Sequence, residues 1–326
     1  MNNLLGIDVG GTKCAIIYGV EVGGQLQIID KIRFDTMVVQ ETIQTILDNL
    51  EVMMHRHGLT SQNTGAIGIS CGGPLDSKAG IVMSPPNLPG WDNIPIVRLV
   101  EERTGIPAGL QNDANACALA EYKFGAGRGC QNMVFMTFGT GLGAGIIIHG
   151  ELYSGTNDNA GELGHIRLAP DGPVGYGKHG SFEGFCSGGG IAQLARCLVT
   201  EAYGKGENVP WCAQKDISSL TAYDVAIASH EGHELAKKIF DISSEYLGMG
   251  LSIVVDILNP ELIVIGSIYA RNEEMMRPVM QAVLDREALD GANRVCRVVP
   301  AALGEQIGDF ASLSVASSVL NKKDRF

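Results

Sequence analysis

Apolar residues near the start of the chain fall into short runs that are separated by glycine-rich or polar segments. Leu4–Val9 and Cys14–Val20 are two such runs, and together they predict a strand hairpin. A third strand is predicted at Ile28–Phe34, and apolar residues at helical spacing predict a helix over Val38–His57. This mixture of strands and helices indicates an α/β fold.

The alternation of strand and helix patterns continues along the rest of the chain. Further strands are predicted at Thr64–Ser70, Ala108–Gln111, Met133–Thr137, Ala144–His149, Leu262–Ile265 and Val295–Val299. Further helices are predicted at Ile96–Thr104, Ala114–Phe124, Ile191–Tyr203, Gly232–Asp256 and about Asp309–Asn321. The segment 133–149 has the order strand, glycine-rich loop and strand, which repeats the pattern of residues 4–18. This repeat suggests a duplicated fold with one phosphate-binding loop in each half.

The loop between the first two predicted strands has the sequence Asp-Val-Gly-Gly-Thr-Lys at residues 8–13. The backbone N–H groups of Gly10 and Gly11 lack a covering side chain, which lets a phosphate approach closely. Thr12 adds a hydroxyl donor, Lys13 adds a positive charge, and Asp8 has the chemistry to hold a hydrated Mg²⁺. An ordinary hairpin turn explains the same residues, so this motif alone leaves both interpretations open.

The second glycine-rich loop, at residues 139–143, fits a loose dinucleotide-binding fingerprint, but that fingerprint requires a helix after the loop. The following residues, 145–148, are strand-like, which disfavours a Rossmann site. The sequence also lacks the GxxxxGK(S/T) motif of P-loop NTPases. The remaining interpretation is a pair of glycine hairpin loops that clasp a nucleotide polyphosphate.

Several polar side chains follow or lie between the predicted elements. Asn112 and Asp113 stand where a strand is predicted to end and a helix to begin. An Asp at this position serves either as a helix cap or as a general base for an attacking alcohol. Glu162, His165 and Glu183 form a second polar cluster, and carboxylates beside a His suit recognition of vicinal hydroxyls. A solvated loop is the alternative explanation of that cluster.

Composition narrows the classes of partner. The 326 residues carry a formal net charge of -12, which argues against a nucleic-acid surface. The most apolar stretch, residues 251–265, is interrupted by acidic residues and a proline, which excludes a membrane span there. The eight cysteines form no CxxC pair, and the chain does not open with a signal-peptide pattern. We therefore predict a reduced, soluble, cytoplasmic protein without nucleic-acid or membrane partners.

Six motifs in a fixed order give the chain a family resemblance. They are Asp8-Val-Gly-Gly-Thr12, Pro85-Pro86-Asn87-Leu-Pro-Gly-Trp91, Asn112-Asp113-Ala-Asn115, Gly139-Thr-Gly-Leu-Gly143, Gly161-Glu-Leu-Gly-His165 and Leu258-Asn-Pro-Glu-Leu-Ile-Val-Ile-Gly266. Together they resemble the ROK family of bacterial sugar kinases and repressors, within the actin-like ATPase superfamily. The resemblance covers nearly the whole chain, and six ordered motifs are far more specific than any one of them.

The resemblance implies two α/β domains of the actin-like, ribonuclease H-like ATPase type, with the active site in the cleft between them. The smaller domain would span residues 1–117 and would be completed by a C-terminal helix at about residues 305–326. The larger domain would span residues 118–304. The family also implies a homodimer.

The resemblance further implies ATP-dependent phosphorylation of a hexose hydroxyl, with Asp113 as the catalytic base. The residues that would bind sugar hydroxyls are Asn87, Asn112, Glu162, His165 and Glu183. The residues that would hold the ATP phosphates are Gly10, Gly11, Thr12, Lys13, Gly139, Thr140 and Gly141. Asp8 would hold Mg²⁺ through water, and Gly266 would lie near the adenosine.

One segment departs from the family pattern. Many ROK members carry Cys-x-Cys-Gly-x-x-Gly-Cys-x-Glu after the Gly-His, and three thiolates with that His bind a structural zinc. The corresponding residues here are 174–183, with Val174, Tyr176 and Ser181 in place of the cysteines. Because Val and Tyr do not serve as zinc ligands at such a site, we predict no structural zinc. We expect packing by Val174 and Tyr176 to hold this loop instead.

The substrate and even the class of function have alternatives. O6 of glucose is the expected target, whereas N-acetylmannosamine, N-acetylglucosamine, fructose and allose stay open because loop geometry decides among them. A transcriptional repressor of this family would add an N-terminal helix-turn-helix, which the seven residues before Asp8 and the negative charge disfavour. A non-catalytic sugar sensor is the third possibility, and the intact Asp113 and glycine loops count against it.

Overall fold

The computed structural model describes residues 1–323, with side chains described through residue 321. The chain divides into two compact units. The first unit comprises Met1–Gln131, Gly145–Ala160 and Ala302–Phe326, and the second comprises Asn132–Ala144 and Gly161–Ala301. Residues 118–131, 145–160 and 302–304 thus fall in the first unit, although the sequence predicts them in the larger domain. Residues 324–326, the end of the predicted segment 305–326, lie outside the described residues.

Strands and helices alternate as the sequence predicts. The strands are β1 (Asn2–Val9), β2 (Lys13–Val22), β3 (Gln25–Asp35), β4 (Thr64–Cys71), β5 (Leu75–Asp76), β6 (Ile81–Val82), β7 (Ala108–Asn112), β8 (Met133–Met136), β9 (Ala144–Ile148), β10 (Glu151–Tyr153), β11 (Val174–Gly175), β12 (Lys178–His179), β13 (Leu262–Ile265) and β14 (Arg297–Pro300). The helices are α1 (Val39–His57), α2 (Ile96–Thr104), α3 (Asp113–Phe124), α4 (Phe182–Phe185), α5 (Gly188–Gly204), α6 (Ala222–His230), α7 (Glu234–Leu258), α8 (Ser267–Glu287), α9 (Asp290–Asn293) and α10 (Ile307–Lys323).

The first unit is built on a five-stranded sheet in the order β3-β2-β1-β4-β7. β2 runs antiparallel to both of its neighbours, β1 and β3, and it forms the predicted hairpin with β1. β4 and β7 run parallel to β1. Alternate residues of β1 enter different hydrophobic clusters, because successive side chains of a strand point to opposite faces. Leu5 and Ile7 pack in a cluster with Ile46 of α1, whereas Leu4 packs in a cluster with Leu313 of α10.

A row of glycines lets α10 approach one face of this sheet. Gly6 of β1 pairs with Gly68 of β4, and Gly68 pairs with Gly109 of β7. A Cβ atom at Gly68 would lie 2.0 Å from the carbonyl oxygen of Ser312 and 2.3 Å from the amide nitrogen of Ala316, both on α10. The sheet and α10 therefore pack backbone against backbone at this point.

Replacing Gly68 with Ala is expected to lower the free energy of unfolding by about 2 kcal/mol or more, because backbone atoms of α10 cannot yield to the new methyl group. Gly65→Ala, in the same strand, is the matched control. A Cβ atom at Gly65 would first meet the flexible tip of Leu320 at 3.2 Å. Urea unfolding followed by circular dichroism compares the two variants, and equal midpoints would contradict the close packing of α10.

The second unit contains the parallel strands β8, β13 and β14, with β13 paired to both of the others. All four residues of β13 are buried, as are those of β8. The main cluster of buried residues joins these strands to the long helices α5, α7 and α8. β8 is therefore embedded in this apolar cluster, and the glycine-rich loop of residues 137–143 follows directly after it.

Four helices are not predicted from the sequence: the short α4 and α9, and the longer α6 and α8. In α8, Asn272 has non-helical backbone angles and Pro278 lies inside the helix, and both features disrupt the apolar spacing on which helix prediction depends. The Asn272 side chain donates a hydrogen bond to the Ile268 carbonyl, at 2.8 Å, which bridges the kink.

Among the residues that the structure describes, no helix is both long enough and apolar enough to cross a membrane.

Candidate active site

The loop of residues 8–13 connects β1 to β2 and is closed by its own backbone. The Gly10 amide donates to the Lys13 carbonyl at 3.1 Å. Thr36, just beyond β3, fixes the loop twice: its hydroxyl donates to the Gly10 carbonyl at 2.6 Å, and its amide donates to the Thr12 carbonyl at 2.9 Å. Gly11, Thr12 and Lys13 are exposed. The predicted phosphate-binding residues therefore form a braced, accessible turn.

The same turn lies against a second predicted site residue, Asn87. A Cβ atom at Gly11 would come within 2.6 Å of the Asn87 carbonyl oxygen, so a larger residue at position 11 would force the two segments apart. Asn87 belongs to the loop between β6 and α2, and buried Leu88 and Trp91, each 1% exposed, anchor that loop. The Ser84 amide donates to the Trp91 carbonyl at 2.9 Å and closes it. The Asn87 side chain itself is exposed.

Several charged side chains of the first unit affect the pKa of Asp8. Burial raises its pKa to about 6, against the opposing effect of the Lys31 ammonium group. Lys31 forms an ion pair with Asp309 at the start of α10, and the carboxylates of Asp309 and Asp113 also raise the pKa of Asp8. Carboxylate oxygens are the ligands that Mg²⁺ prefers, and a bound cation would relieve their repulsion. A single carboxylate such as that of Asp8 has the chemistry to hold a hydrated Mg²⁺ through the water ligands of the ion.

Asn112 and Asp113 lie at the junction between β7 and α3. The sequence leaves two roles open for Asp113, that of helix cap and that of general base. Asn112 is the helix cap, because its Oδ1 accepts from the amides of Ala114 at 2.9 Å and Asn115 at 3.3 Å. Asp113 is the first helical residue, and its Oδ1 accepts from the Ala114 amide at 2.7 Å. Since Asn112 caps the helix, Asp113 is available for another role.

The carboxyl group of Asp113 has a perturbed pKa. The residue is exposed as a whole, yet the protein atoms around its carboxyl group reduce the hydration of that group, and this desolvation raises its pKa above the usual value of 3.8. The hydrogen bond from the Ala114 amide acts in the opposite direction. A carboxylate with a raised pKa is a stronger base than an ordinary Asp, which suits general base chemistry.

In the second unit, the loop of residues 137–143 follows β8 and is tied down at both ends. The Thr137 amide donates to the Gly143 carbonyl at 2.9 Å, and the Gly143 amide donates to the Thr137 hydroxyl at 2.9 Å. The Gly139 amide donates to the Gly141 carbonyl at 3.1 Å. The loop is thus a tight turn, as in the first unit.

Two segments that carry predicted sugar-binding residues contact that turn, one through Glu183 and the other through Gly164. Glu183, in α4, accepts a hydrogen bond at Oε2 from the Leu142 amide at 3.0 Å. A Cβ atom at Gly164, between Glu162 and His165, would lie 2.4 Å from the Leu142 carbonyl oxygen. The structure therefore brings Glu183 and the segment 162–165 together around Leu142.

Comparison with known proteins identifies the family. The ROK family model matches residues 4–317. The chain belongs to the ROK family. A glucokinase of Halalkalibacterium halodurans is 34% identical to this ROK protein over 283 residues, which cover 85% of this chain and 84% of that one.

Two further relatives illustrate the range of this ROK family. A Streptomyces griseus ROK glucokinase, solved in complex with glucose and AMPPNP, has 28% identity and a TM-score of 0.76, with 97% of this chain and 100% of that chain covered. The Escherichia coli DNA-binding transcriptional repressor Mlc is 27% identical over 248 residues, which cover 76% of this chain and 59% of the repressor. The predicted actin-like α/β fold is confirmed by these likenesses to ROK structures.

The ROK chain also places residues at the second glycine turn that the sequence analysis does not single out. The amide of Gly188, at the start of α5, donates to the Gly139 carbonyl at 2.7 Å, and Ser187 caps that helix. The run Ser-Gly-Gly-Gly before an apolar helix is a recognisable cap signal. Ser267 follows the buried Gly266, and its hydroxyl would lie 3.7 Å from a Cβ atom at Gly139. No local pattern marks Ser267.

Proposed function

We propose that this ROK protein is an ATP-dependent hexose kinase that transfers the γ-phosphoryl group to O6 of glucose. Its glucokinase relatives support sugar kinase activity. The observation that carries the proposal is the junction of β7 and α3, where Asn112 caps the helix and Asp113 is therefore not needed as the cap. Desolvation in addition raises the pKa of Asp113.

Each group in the proposed reaction has a physical task. Asp113 accepts the proton of the sugar hydroxyl as that oxygen attacks the γ-phosphorus, and the bond from phosphorus to the bridging oxygen of ADP breaks. The amides of Gly10 and Gly139 donate within their own turns, so the other amides of the turns at residues 10–13 and 139–141 would hold the phosphate oxygens, and Lys13 would add positive charge. Asp8 would hold Mg²⁺ through water, and the ion would supply charge neutralisation.

The sugar side of the reaction falls to the predicted hydroxyl-binding residues. Carboxylates accept hydrogen bonds from vicinal hydroxyls, and amide and imidazole groups either donate or accept. These residues are Asn87, Asn112, Glu162, His165 and Glu183. Because Asn112 uses Oδ1 for the helix cap, its Nδ2 group is the part that would donate to a sugar oxygen. We also propose a cytoplasmic homodimer, in keeping with the family resemblance.

A coupled assay of ADP release across a panel of sugars tests this function. The panel contains glucose, fructose, allose, N-acetylglucosamine and N-acetylmannosamine, and Asp113→Asn serves as the inactive control. We expect the highest kcat/KM with glucose. A higher value with another sugar would correct the substrate but keep the kinase. If no sugar stimulated ATP turnover and the Asp113→Asn protein matched the wild type, the kinase proposal would fail.

A further inference from the structure

The segment that corresponds to the family's zinc loop does not supply a zinc site in this chain. Tetrahedral zinc needs four sulfur, nitrogen or oxygen ligands within about 2.3 Å. Among the described residues, His, Cys, Asp and Glu side chains form no group of three or more that could hold a metal ion. The nearest cysteine in sequence, Cys186, is fully buried and directs its thiol to the Ser243 carbonyl at 3.3 Å. The donor set therefore does not fit the metal.

Two of the three positions where the family has cysteines make other bonds instead. The backbone of Val174 is clamped by the Gln193 side chain of α5: the Val174 amide donates to Oε1 at 3.0 Å, and Nε2 donates to the Val174 carbonyl at 2.8 Å. Ser181 is fully buried, and its hydroxyl donates to the Gly175 carbonyl at 3.4 Å and accepts from the Gly184 amide at 3.0 Å. These bonds fix the hairpin of β11 and β12 to the helices that follow it.

The third position, Tyr176, contacts a predicted sugar-binding residue directly. It lies at the tip of the hairpin, and its ring meets the His165 ring edge-on, with centroids 4.9 Å apart and an interplanar angle of 66°. From β12, the Lys178 ammonium group donates to the His165 carbonyl at 2.6 Å. In the family pattern the same His is a zinc ligand, whereas here a ring and an ammonium group hold its side chain and backbone.

We propose that Tyr176 and Lys178 are positioning residues that orient His165 for the sugar, on a hairpin held by Gln193 and Ser181 without a metal. The inference rests on the proposed function because it takes His165 as a sugar-binding residue. The geometry supports it in a specific way: an edge-on aromatic contact restricts rotation of the imidazole ring, and the Lys178 bond restricts the backbone beneath it. Tyr176 is 67% exposed, so its ring contributes little to the core.

The first arm of the test measures metal and stability on the purified full-length protein, without reference to activity. We expect substoichiometric zinc by mass spectrometry and the same melting temperature before and after dialysis against a chelator. One zinc per chain, with a melting temperature that falls when it is removed, would overturn the proposal.

The second arm measures glucose binding by calorimetry without nucleotide. Tyr176→Ala is expected to weaken binding about fivefold, the size of a lost aromatic contact, while Tyr176→Phe keeps the ring and the affinity. Tyr223→Ala, which removes a tyrosine that is 73% exposed in the same unit, is the control. Lys178→Met repeats the test on the second contact. Equal affinities for Tyr176→Ala and Tyr223→Ala would overturn the positioning role.

The two arms also separate this inference from the proposed function. A wild-type protein that bound none of the sugars would contradict the proposed function and the orienting role of Tyr176 together. The metal content and the melting temperatures would then still decide whether the hairpin is held without zinc.

Discussion

The Asp113→Asn protein is expected to lose on the order of 10³-fold in kcat, the typical contribution of a positioned general base. The substitution keeps the size of the side chain, and the amide oxygen can still accept the hydrogen bond that the Ala114 amide gives to Asp113. The α3 helix keeps its cap because that role belongs to Asn112. Steady-state kinetics should therefore show a fall in kcat with an unchanged melting temperature. A variant that kept more than a tenth of the wild-type kcat would contradict the assignment.

The pH dependence gives an independent check of the same group. Desolvation raises the pKa of Asp113 above 3.8, so the carboxylate takes up a proton at a higher pH than an ordinary Asp does. Activity needs the deprotonated form, so kcat should fall as pH is lowered through that raised pKa, and the Asp113→Asn protein should lack this limb. The Asp8 carboxyl group, whose pKa is about 6, also takes up a proton as the pH is lowered. An acid limb that persisted unchanged in Asp113→Asn would belong to such a group and not to Asp113.

The elements around these residues are the part of the molecule that sequence predicts well. The β1–β2 hairpin and the β7–α3 junction are local, and their glycine, cap and apolar signals lie within about ten residues of each other. What the pattern could not settle is which of two adjacent side chains caps α3. Both Asn and Asp are good caps, and only the extended backbone of Asn112 assigns the role.

Contacts between distant segments could not be predicted in this way. The Leu142 amide and the Glu183 carboxylate are 41 residues apart, and nothing in either motif indicates that they bond. Gly68 and the residues of α10 that it meets are likewise far apart in the sequence, and no local motif indicates that they touch. Sequence periodicity reports which face of an element is apolar, but it carries no information about which other element covers that face.

The bond between Glu183 and the Leu142 amide predicts that one side chain affects both substrates. On the proposed function, Glu183 binds a sugar hydroxyl, while its Oε2 holds the turn that would carry ATP phosphates. Glu183→Ala would remove the sugar contact and leave a backbone amide of that turn without this acceptor. Hydrogen bonds to a carboxylate contribute about 1.5–3 kcal/mol each, so losing two should lower kcat/KM on the order of 10³-fold.

The result that tests this prediction is whether the variant loses affinity for glucose alone or for both glucose and the nucleotide. Glu183→Ala should weaken binding of glucose and of a non-hydrolysable ATP analogue, each measured alone by calorimetry. Glu183→Gln should weaken both less, because its amide oxygen can still accept from Leu142, although without charge. Glu162→Gln, the second carboxylate of the predicted sugar set, is the matched control and should weaken glucose alone. If Glu183→Ala also affected glucose alone, the Leu142 bond would have no bearing on the nucleotide, and the turn would be held by its remaining bonds to Thr137 and Gly188.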